Sequence, residues 1–369
     1  MRILVSLVSA QTIPNVEFIL QMKGKVDKYL FISTASMERD GNREWIMKAA
    51  DISENQLLPT IVVNPVSFED IEQKLSEQID ENHEYLVNIT GGTKVMSLRV
   101  DHFFRDLQSS IFYLPGNGTY LQIHPGKGVK TFDLNVSLSV DQYLQSYGFD
   151  VESKSTPLLD FEYAQHFYNQ YIEHQERYRT VLTELQRCRS KKNTTINKIQ
   201  GLANFLEEVN FTPSNEGKLT KYEVRYLTGD WFEEYVYYRL LKEVGISEDY
   251  LGLGYQIKKA DVPNEFDILF VHNNRLYAIE CKTSIFTEVD GRQKSFIGEV
   301  LYKSDSLQKG FGLYTSTSII TVSDILDGEG KVLQPLKKHM ERADLNRINV
   351  VAQRDLNESL AHKLGIRLN

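Results

Sequence analysis

With 369 residues, 41% hydrophobic and 25% charged, the chain has the size of two soluble domains and a connection. Its apolar runs, such as Ile3–Val8, are far shorter than the ~20 residues that span a bilayer. No basic leader or cleavage site of a secretory signal precedes that run, so a cytoplasmic protein without a membrane span is expected. Two cysteines, Cys188 and Cys281, exclude a disulfide framework and a cysteine-based zinc site. The formal net charge of −8 argues against a simple basic nucleic-acid binder. It is unevenly spread: residues 1–150 hold 13 Lys and Arg against 19 Asp and Glu, the remainder 29 against 31. A nucleic-acid site therefore needs a local basic patch in the second part.

Residues 1–145 alternate apolar strands with amphipathic helices. Strands are expected over Ile3–Val8, Lys28–Ser33, Thr60–Val63 and Tyr85–Ile89. Helices are expected at Val16–Met22, Arg43–Ala50 and Phe68–Ile79, with a fourth from Thr93 to near Leu107. This alternation predicts a parallel sheet with helices on both sides, a Rossmann-like α/β fold. Ile111–Leu114, Tyr120–Ile123 and Val129–Leu138 follow, parted by Gly116-Asn117-Gly118 and Gly126-Lys127-Gly128, and read as hairpins closing the domain.

In open α/β sheets ligands gather beyond the carboxyl ends of the strands. The residues expected there are small and polar: Ser9, Ala10 and Gln11, then Thr34, then Thr90-Gly91-Gly92-Thr93-Lys94. The glycines allow close backbone approach, and the following helix N-terminus offers unpaired N–H groups to an anion. Thr90, Thr93 and Lys94 add hydroxyl and ammonium donors, so a phosphate or nucleotide site is expected. The string is neither a Walker A loop nor Gly-x-Gly-x-x-Gly, and a plain strand-to-helix turn is the alternative.

From Tyr147 to Gly217 strand signals vanish, and long polar helices, including Tyr163–Arg189, are expected. Residues 146–217 thus read as a helical connector. Its basic run Arg187–Lys192 is either a phosphate contact or a solvated helix end, and Pro213 with Ser214–Gly217 marks a boundary.

Residues 218–369 carry an α+β pattern: a strand near Thr220–Leu227, a helix Trp231–Val244, then strands Phe266–Val271 and Arg275–Cys281. The last two flank Asn273-Asn274, and Asn tolerates the positive φ of a tight hairpin turn. With those two residues as the loop, paired numbers sum to 547 and Asp267 faces Glu280. Opposed residues lie about 5 Å apart at Cβ. Two carboxylates so placed repel, and a divalent cation held by their hard oxygens removes the conflict. Lys282 falls on the same face, while Tyr277, Ile279 and Cys281 on the other suit packing.

An Asp, a hairpin and then Glu280-Cys281-Lys282 resembles the core of the PD-(D/E)xK nuclease superfamily. The resemblance implies that Asp267, Glu280 and Lys282 are catalytic, with a third acidic ligand on the helix after Gly229-Asp230. By resemblance that ligand is Glu233, although the helix pattern alone leaves Glu234 open. Tyr302-Lys303 resembles the family's Tyr-Lys helix and adds Lys303 as a phosphate contact, while Ser304 and the split pair Gly310-Phe311-Gly312 depart from the pattern.

Joined to Thr90-Gly91-Gly92-Thr93-Lys94 and the opening Ile3–Gln11, this nuclease core resembles the CRISPR-associated Rossmann fold (CARF) ancillary nucleases of type III CRISPR defence. That resemblance implies a CARF sensor over 1–145, the helical connector, and a restriction-endonuclease-like PD-(D/E)xK α+β domain over 218–369. It implies a homodimer whose sensors hold a cyclic oligoadenylate, with cyclic tetra-adenylate as activator, through Ser9, Ala10, Gln11, Thr34, Thr90, Gly91, Gly92, Thr93 and Lys94. It further implies Mn²⁺ or Mg²⁺ on Glu233, Asp267 and Glu280, and cleavage of single-stranded RNA or DNA. Two alternatives stand beside it: a restriction or repair nuclease with a different or no sensed ligand, and a non-catalytic, ligand-controlled DNA-binding regulator.

Overall fold

A computed structural model describes residues 1–289, 292–295 and 297–366, with backbone alone for 287–289, 292–294 and 303–309. In chain order the first half runs β1 (Arg2–Leu7), α1 (Ile13–Met22), β2 (Lys28–Ser33), α2 (Ala35–Asp40), α3 (Asn42–Ala50), β3 (Ile61–Val62), α4 (Phe68–Gln78), β4 (Glu84–Asn88), α5 (Lys94–Asp106), β5 (Ser110–Tyr113), β6 (Thr119–His124) and β7 (Gly128–Asp133). Its sheet has the order β3-β2-β1-β4-β5-β6-β7, parallel through β5 and antiparallel beyond. The central strands are apolar almost throughout because both faces are covered. Leu4 and Phe31 pack with α1 and α3 on one side, and Ile3, Val5 and Val87 with α4 and α5 on the other. The expected alternation and the two closing hairpins are all present.

The second half runs α6 (Val140–Ser146), β8 (Asp150–Ser155), α7 (Phe161–Glu173), α8 (Gln175–Arg187), β9 (Asn193–Thr195), α9 (Leu202–Glu208), β10 (Lys218–Thr220), α10 (Lys221–Arg225), α11 (Trp231–Val244), β11 (Leu251–Lys259), β12 (Val262–His272), β13 (Arg275–Lys282), β14 (Phe286–Val289), β15 (Arg292–Ser295), α12 (Ile297–Gln308), β16 (Thr315–Thr321), α13 (Lys337–Leu345), β17 (Ile348–Val351) and α14 (Leu360–Lys363). A mixed six-stranded sheet has the order β17-β16-β13-β12-β11-β8.

Three expectations need correction. Residues 146–217 are not a purely helical connector. β8 is the edge strand of the second sheet, and β9 pairs with β10. β8 carries one partly buried apolar residue, Val151, and is otherwise exposed, so it leaves no period-two signal. Backbone pairing with β11 and the ion pairs Lys154–Asp141 (2.7 Å) and Lys258–Glu152 (3.2 Å) hold it in place. The single helix expected over Tyr163–Arg189 is two, broken at His174. Finally, the strand expected near Thr220–Leu227 is α10 followed by a π-helical turn, Tyr226–Asp230. A capping box explains the change: Thr220 accepts from Glu223 N while Glu223 accepts from Thr220 N at 2.6 Å.

The two halves share one continuous core. Tyr143 and Phe149, around α6 and its exit, pack with Leu4, Phe18 and Phe31 of the first sheet's α1 side. The same cluster takes in Leu269, Leu276, Ala278 and Phe311 from the second sheet and its loop. Tyr143 is wholly buried, and its hydroxyl donates to the Tyr314 carbonyl at 2.9 Å. The opposite face of the second sheet packs on α7, α8 and α11, where Trp231 stacks on Phe167 with ring centroids 4.5 Å apart. Among the described residues no helix is long and apolar enough to cross a membrane.

Candidate active site and ligand face

β12 and β13 form the expected hairpin. Asn273 and Asn274 have φ of 50° and 54°, and the ladder runs from His272–Arg275 to Ile268–Ile279. The paired numbers are those the two-residue loop requires. The regular ladder then stops, so Asp267 and Glu280 are not a simple cross-strand pair. Instead an Asp267 carboxylate oxygen accepts the backbone N–H of Cys281 at 2.7 Å. The Lys282 ammonium lies 2.7 Å from Glu280 and 3.4 Å from Asp267, so a single cation touches both acids. Burial opposes its charge, but Asp267 and Glu280 outweigh burial and hold the lysine above its usual range. Cys281 is buried in the core between sheet and helices, its thiol pushed up by burial.

α11 brings the third acid. Burial, with Asp267, Asp230 and Glu280 nearby, raises the Glu233 carboxyl to about 9, and Lys282 opposes the rise. Its neighbour Glu234 has other work. It accepts from Leu158 N, from Leu159 N at 3.4 Å and from the Tyr226 hydroxyl at 3.1 Å. Glu234 thus ties α11 to the segment ahead of α7, and Glu233 is the residue in the electrostatic field of Asp267 and Glu280. Among the described residues no three His, Cys, Asp or Glu side chains are gathered as a ready metal cage. The donor chemistry nonetheless suits a divalent ion, since Glu233 is driven to keep its proton by burial and then by acids that such an ion would pair. Lys303 lies outside the residues whose side chains are described.

At the carboxyl edge of the first sheet the expected ligand residues do converge. A Cβ on Gly91 would collide with the Leu7 carbonyl, and Gly92 has φ +76°, so both positions require glycine. Thr93 caps α5, accepting from Met96 N at 3.2 Å and donating to the Pro65 carbonyl at 2.6 Å. Lys94 and Thr93 are exposed at that helix end. Thr34 caps α2 in the same way. Thr90 donates to Asn88 at 2.6 Å and accepts Leu114 N at 2.9 Å, binding the loop to two strands. The Ser9 hydroxyl donates to the Gln11 carbonyl at 3.0 Å, and Ala10 is exposed beside it.

Residues not singled out from sequence complete both regions. Below the ligand edge, Ser6 and Asn88 are register partners on β1 and β4, with Ser33 ending β2 and Asn15 on α1. Ser6 Oγ, Ser33 Oγ, Asn88 Nδ2 and Asn15 Oδ1 are buried without a hydrogen-bond partner, an arrangement that calls for water or a ligand. For Ser6, Ser33 and Asn88 the signal was polarity at the ends of otherwise apolar strands. A second set joins the ligand edge to the nuclease hairpin. The Gln11 amide oxygen accepts from the Tyr147 hydroxyl and from Leu313 N, both at 3.1 Å. Asn274 donates to Glu17 at 2.7 Å and to the Val136 carbonyl at 2.8 Å, and accepts Leu138 N at 2.8 Å.

Comparisons with known proteins agree with this division. Residues 3–143 match the family described as the Card1 CARF domain, and residues 220–354 match the Card1-like endonuclease domain. No curated protein matches the sequence. Among solved structures, Can2 from Sulfobacillus thermosulfidooxidans, determined with cyclic tetra-adenylate, aligns with a TM-score of 0.73 at 24% identity, over 100% of both chains. Protein VC1899 from Vibrio cholerae aligns with a TM-score of 0.73 at 18% identity, over 99% of this chain and 97% of its own. A type III CRISPR defence DNA nuclease activated by cyclic oligoadenylate aligns at 0.55 with 15% identity, covering 93% of this chain and 51% of that one. With these two matches spanning most of its length, the chain joins a CARF domain of the Card1 type to a Card1-like endonuclease domain.

Proposed function

We propose that the chain is a metal-dependent endonuclease of type III CRISPR defence, acting in the cytoplasm as a homodimer and switched on by cyclic tetra-adenylate. The observation that carries this reading is the Lys282 ammonium, held against both Asp267 and Glu280 at the end of a family-matched endonuclease hairpin. Glu233, Asp267 and Glu280 would hold Mn²⁺ or Mg²⁺. That ion, when bound, supplies Lewis-acid polarisation of the phosphodiester and lowers the pKa of water. Lys282 then contributes a fixed positive charge toward the oxyanion that develops in the transition state. Partial burial around Glu233 lowers the local dielectric and strengthens each of these interactions.

The sensor half supports gating. Ser9, Ala10, Gln11, Thr34 and the Thr90–Lys94 loop offer neutral donors and one ammonium to an anionic ring. Can2, of the same fold over its full length, was determined with cyclic tetra-adenylate. A ligand with two-fold symmetry suits an isologous dimer. Gln11 bonds Leu313 N directly, so a ring that engages the Gln11 loop acts on the nuclease half with no intervening element. Gating requires that the ring bind the active arrangement more tightly than the idle one. The trial is purified protein with Mn²⁺ and either single-stranded RNA or single-stranded DNA, with and without cyclic tetra-adenylate. Cleavage that requires the metal and is far faster with the ring than without it is expected. No cleavage under any condition, or cleavage indifferent to the ring, defeats the proposal.

A further inference from the structure

Several basic residues with no part in the acid cluster gather where the connector returns to the nuclease half. β9 and β10 pair with Asn193 opposite Thr220, and Lys221 N donates to the Lys192 carbonyl at 3.1 Å. This ladder brings Arg189, Lys191 and Lys192, just past α8, beside Lys221, Tyr222 and Arg225 of α10. Arg189 and Arg225 each lie 3.7 Å from the Asp230 carboxylate, and two guanidinium groups on one anion leave a surplus of positive charge. Lys191, Lys192 and Lys221 are exposed. Tyr222 is 78% exposed, and at three residues' spacing it lies on the same helix face as Arg225.

The patch adjoins the acid cluster. Asp230 directly precedes α11 and is one of the charges that raise Glu233. Beside it opens a cleft of about 1070 Å³ between α8 and the ends of β13 and β16, lined by Arg179 and Arg187, by Glu176 and Asp324, and by the hydroxyl residues Thr228 and Thr283 among others, so the cationic surplus lies in the patch and not in the cleft. Thr283 follows Lys282 directly, and its hydroxyl donates to the Thr228 carbonyl at 3.3 Å, so the cleft floor runs up to the catalytic lysine. A chain of net charge −8 thus carries a local cationic patch beside the acid cluster.

We propose that this patch and cleft are the track for one strand of nucleic acid. Phosphates rest on Arg189, Arg225 and the paired Lys192 and Lys221, and a base stacks on Tyr222. The inference rests on the reading of the acid cluster as a phosphodiesterase. An exposed ring among cations accepts any base, because every base offers a π-face.

The test is binding of a labelled single-stranded oligonucleotide, RNA in one arm and DNA in the other, by full-length protein without Mn²⁺ or Mg²⁺. Arg189→Glu with Arg225→Glu is expected to weaken binding about 10-fold or more and to flatten the log–log salt dependence by about 1.4, at ~0.7 per phosphate contact. Tyr222→Ala is expected to weaken binding about 5-fold or more. Arg189→Lys with Arg225→Lys is expected to stay near wild type, which separates charge from lost packing. Should the charge-reversed protein fail to fold, Lys191→Glu with Lys192→Glu, both on exposed residues, carries the same expectation. Lys127→Glu, in the turn between β6 and β7, is expected to bind as wild type. Unchanged affinity and salt slope in the patch variants, or equal weakening by Lys127→Glu, overturns the track. A separate cleavage assay with Mn²⁺ and cyclic tetra-adenylate keeps the two readings apart. Protein that binds through the patch yet cuts nothing loses the phosphodiesterase reading and keeps the track.

Discussion

Under the proposed function the acid cluster and the ligand edge face the same problem, phosphate chemistry, and meet it in opposite ways. Around Lys282 the protein gathers ionisable groups in conflict: two acids on one ammonium, and a third, Glu233, driven to about 9 by burial and its neighbours. Around Gly91 it gathers backbone N–H groups, capping hydroxyls and unpartnered neutral side chains. In the first arrangement the proton kept by Glu233 and the Lys282 ammonium stand where a metal cation would balance the acids. The second is built from local hydrogen bonds that are satisfied without a ligand, apart from the four orphaned atoms beneath it. A site for turnover carries stored electrostatic conflict, and a site for sensing can be made of neutral donors.

The sharpest way to break the comparison is Lys282→Ala. Loss of a positive group aimed at the reacting phosphate is expected to lower kcat by about 100- to 1000-fold, with binding of cyclic tetra-adenylate unchanged by calorimetry. Weakened ring binding in this variant would show that the two regions are not chemically separate. The mirror experiment is Gly91→Ala. Its Cβ would meet the Leu7 carbonyl, so ring binding is expected to be lost and stability to drop by about 1–3 kcal/mol in urea unfolding. Activity of the unliganded protein should be unaffected.

Glu17 sharpens the comparison at the seam between the regions. Burial raises its carboxyl from 4.5 to about 7, with the bond from Asn274 opposing the rise. The folded state therefore binds the proton more tightly than the unfolded chain. Its stabilising contribution is full below pH 4.5 and is lost as pH rises through about 7. Glu17→Gln is expected to match wild type near pH 4 and to exceed it at pH 8 by about 1–3 kcal/mol. A pH-independent difference between the two proteins would contradict this. The smallest effect is expected from Gln11→Ala, which removes the acceptor of Tyr147 and Leu313 N. Two modest hydrogen bonds at about 1 kcal/mol each should change the ratio of ring-stimulated to basal cleavage about 5-fold or more, with Lys282 chemistry intact. An unchanged ratio would show that coupling passes elsewhere.

Much of this was legible from local rules. The alternation from Arg2 to Asp133 follows from apolar strands covered on both faces, and α11 was found over its whole length. The hairpin register came from two asparagines able to take positive φ, a property of the turn alone. β8 was not legible, because an exposed edge strand is held by backbone pairing that leaves no apolar pattern. α10 was misread even though Thr220 and Glu223 announce a helix start, since the apolar residues around them also suit a strand.

The sequence by itself determined the two domains, the Asn-Asn turn and the residue types of both regions, because these depend on neighbours a few positions apart. Only the tertiary structure decided that Asp267 leaves its ladder to take Cys281 N, and that Glu234 is tied to Leu158 and Leu159 while the Glu233 carboxyl feels burial and the charges of Asp267 and Glu280. It alone showed that Gln11 and Asn274 link sensor to nuclease across one core. These contacts join residues far apart in the chain. Their energies depend on burial and on which charges share a space, and one-dimensional spacing carries neither.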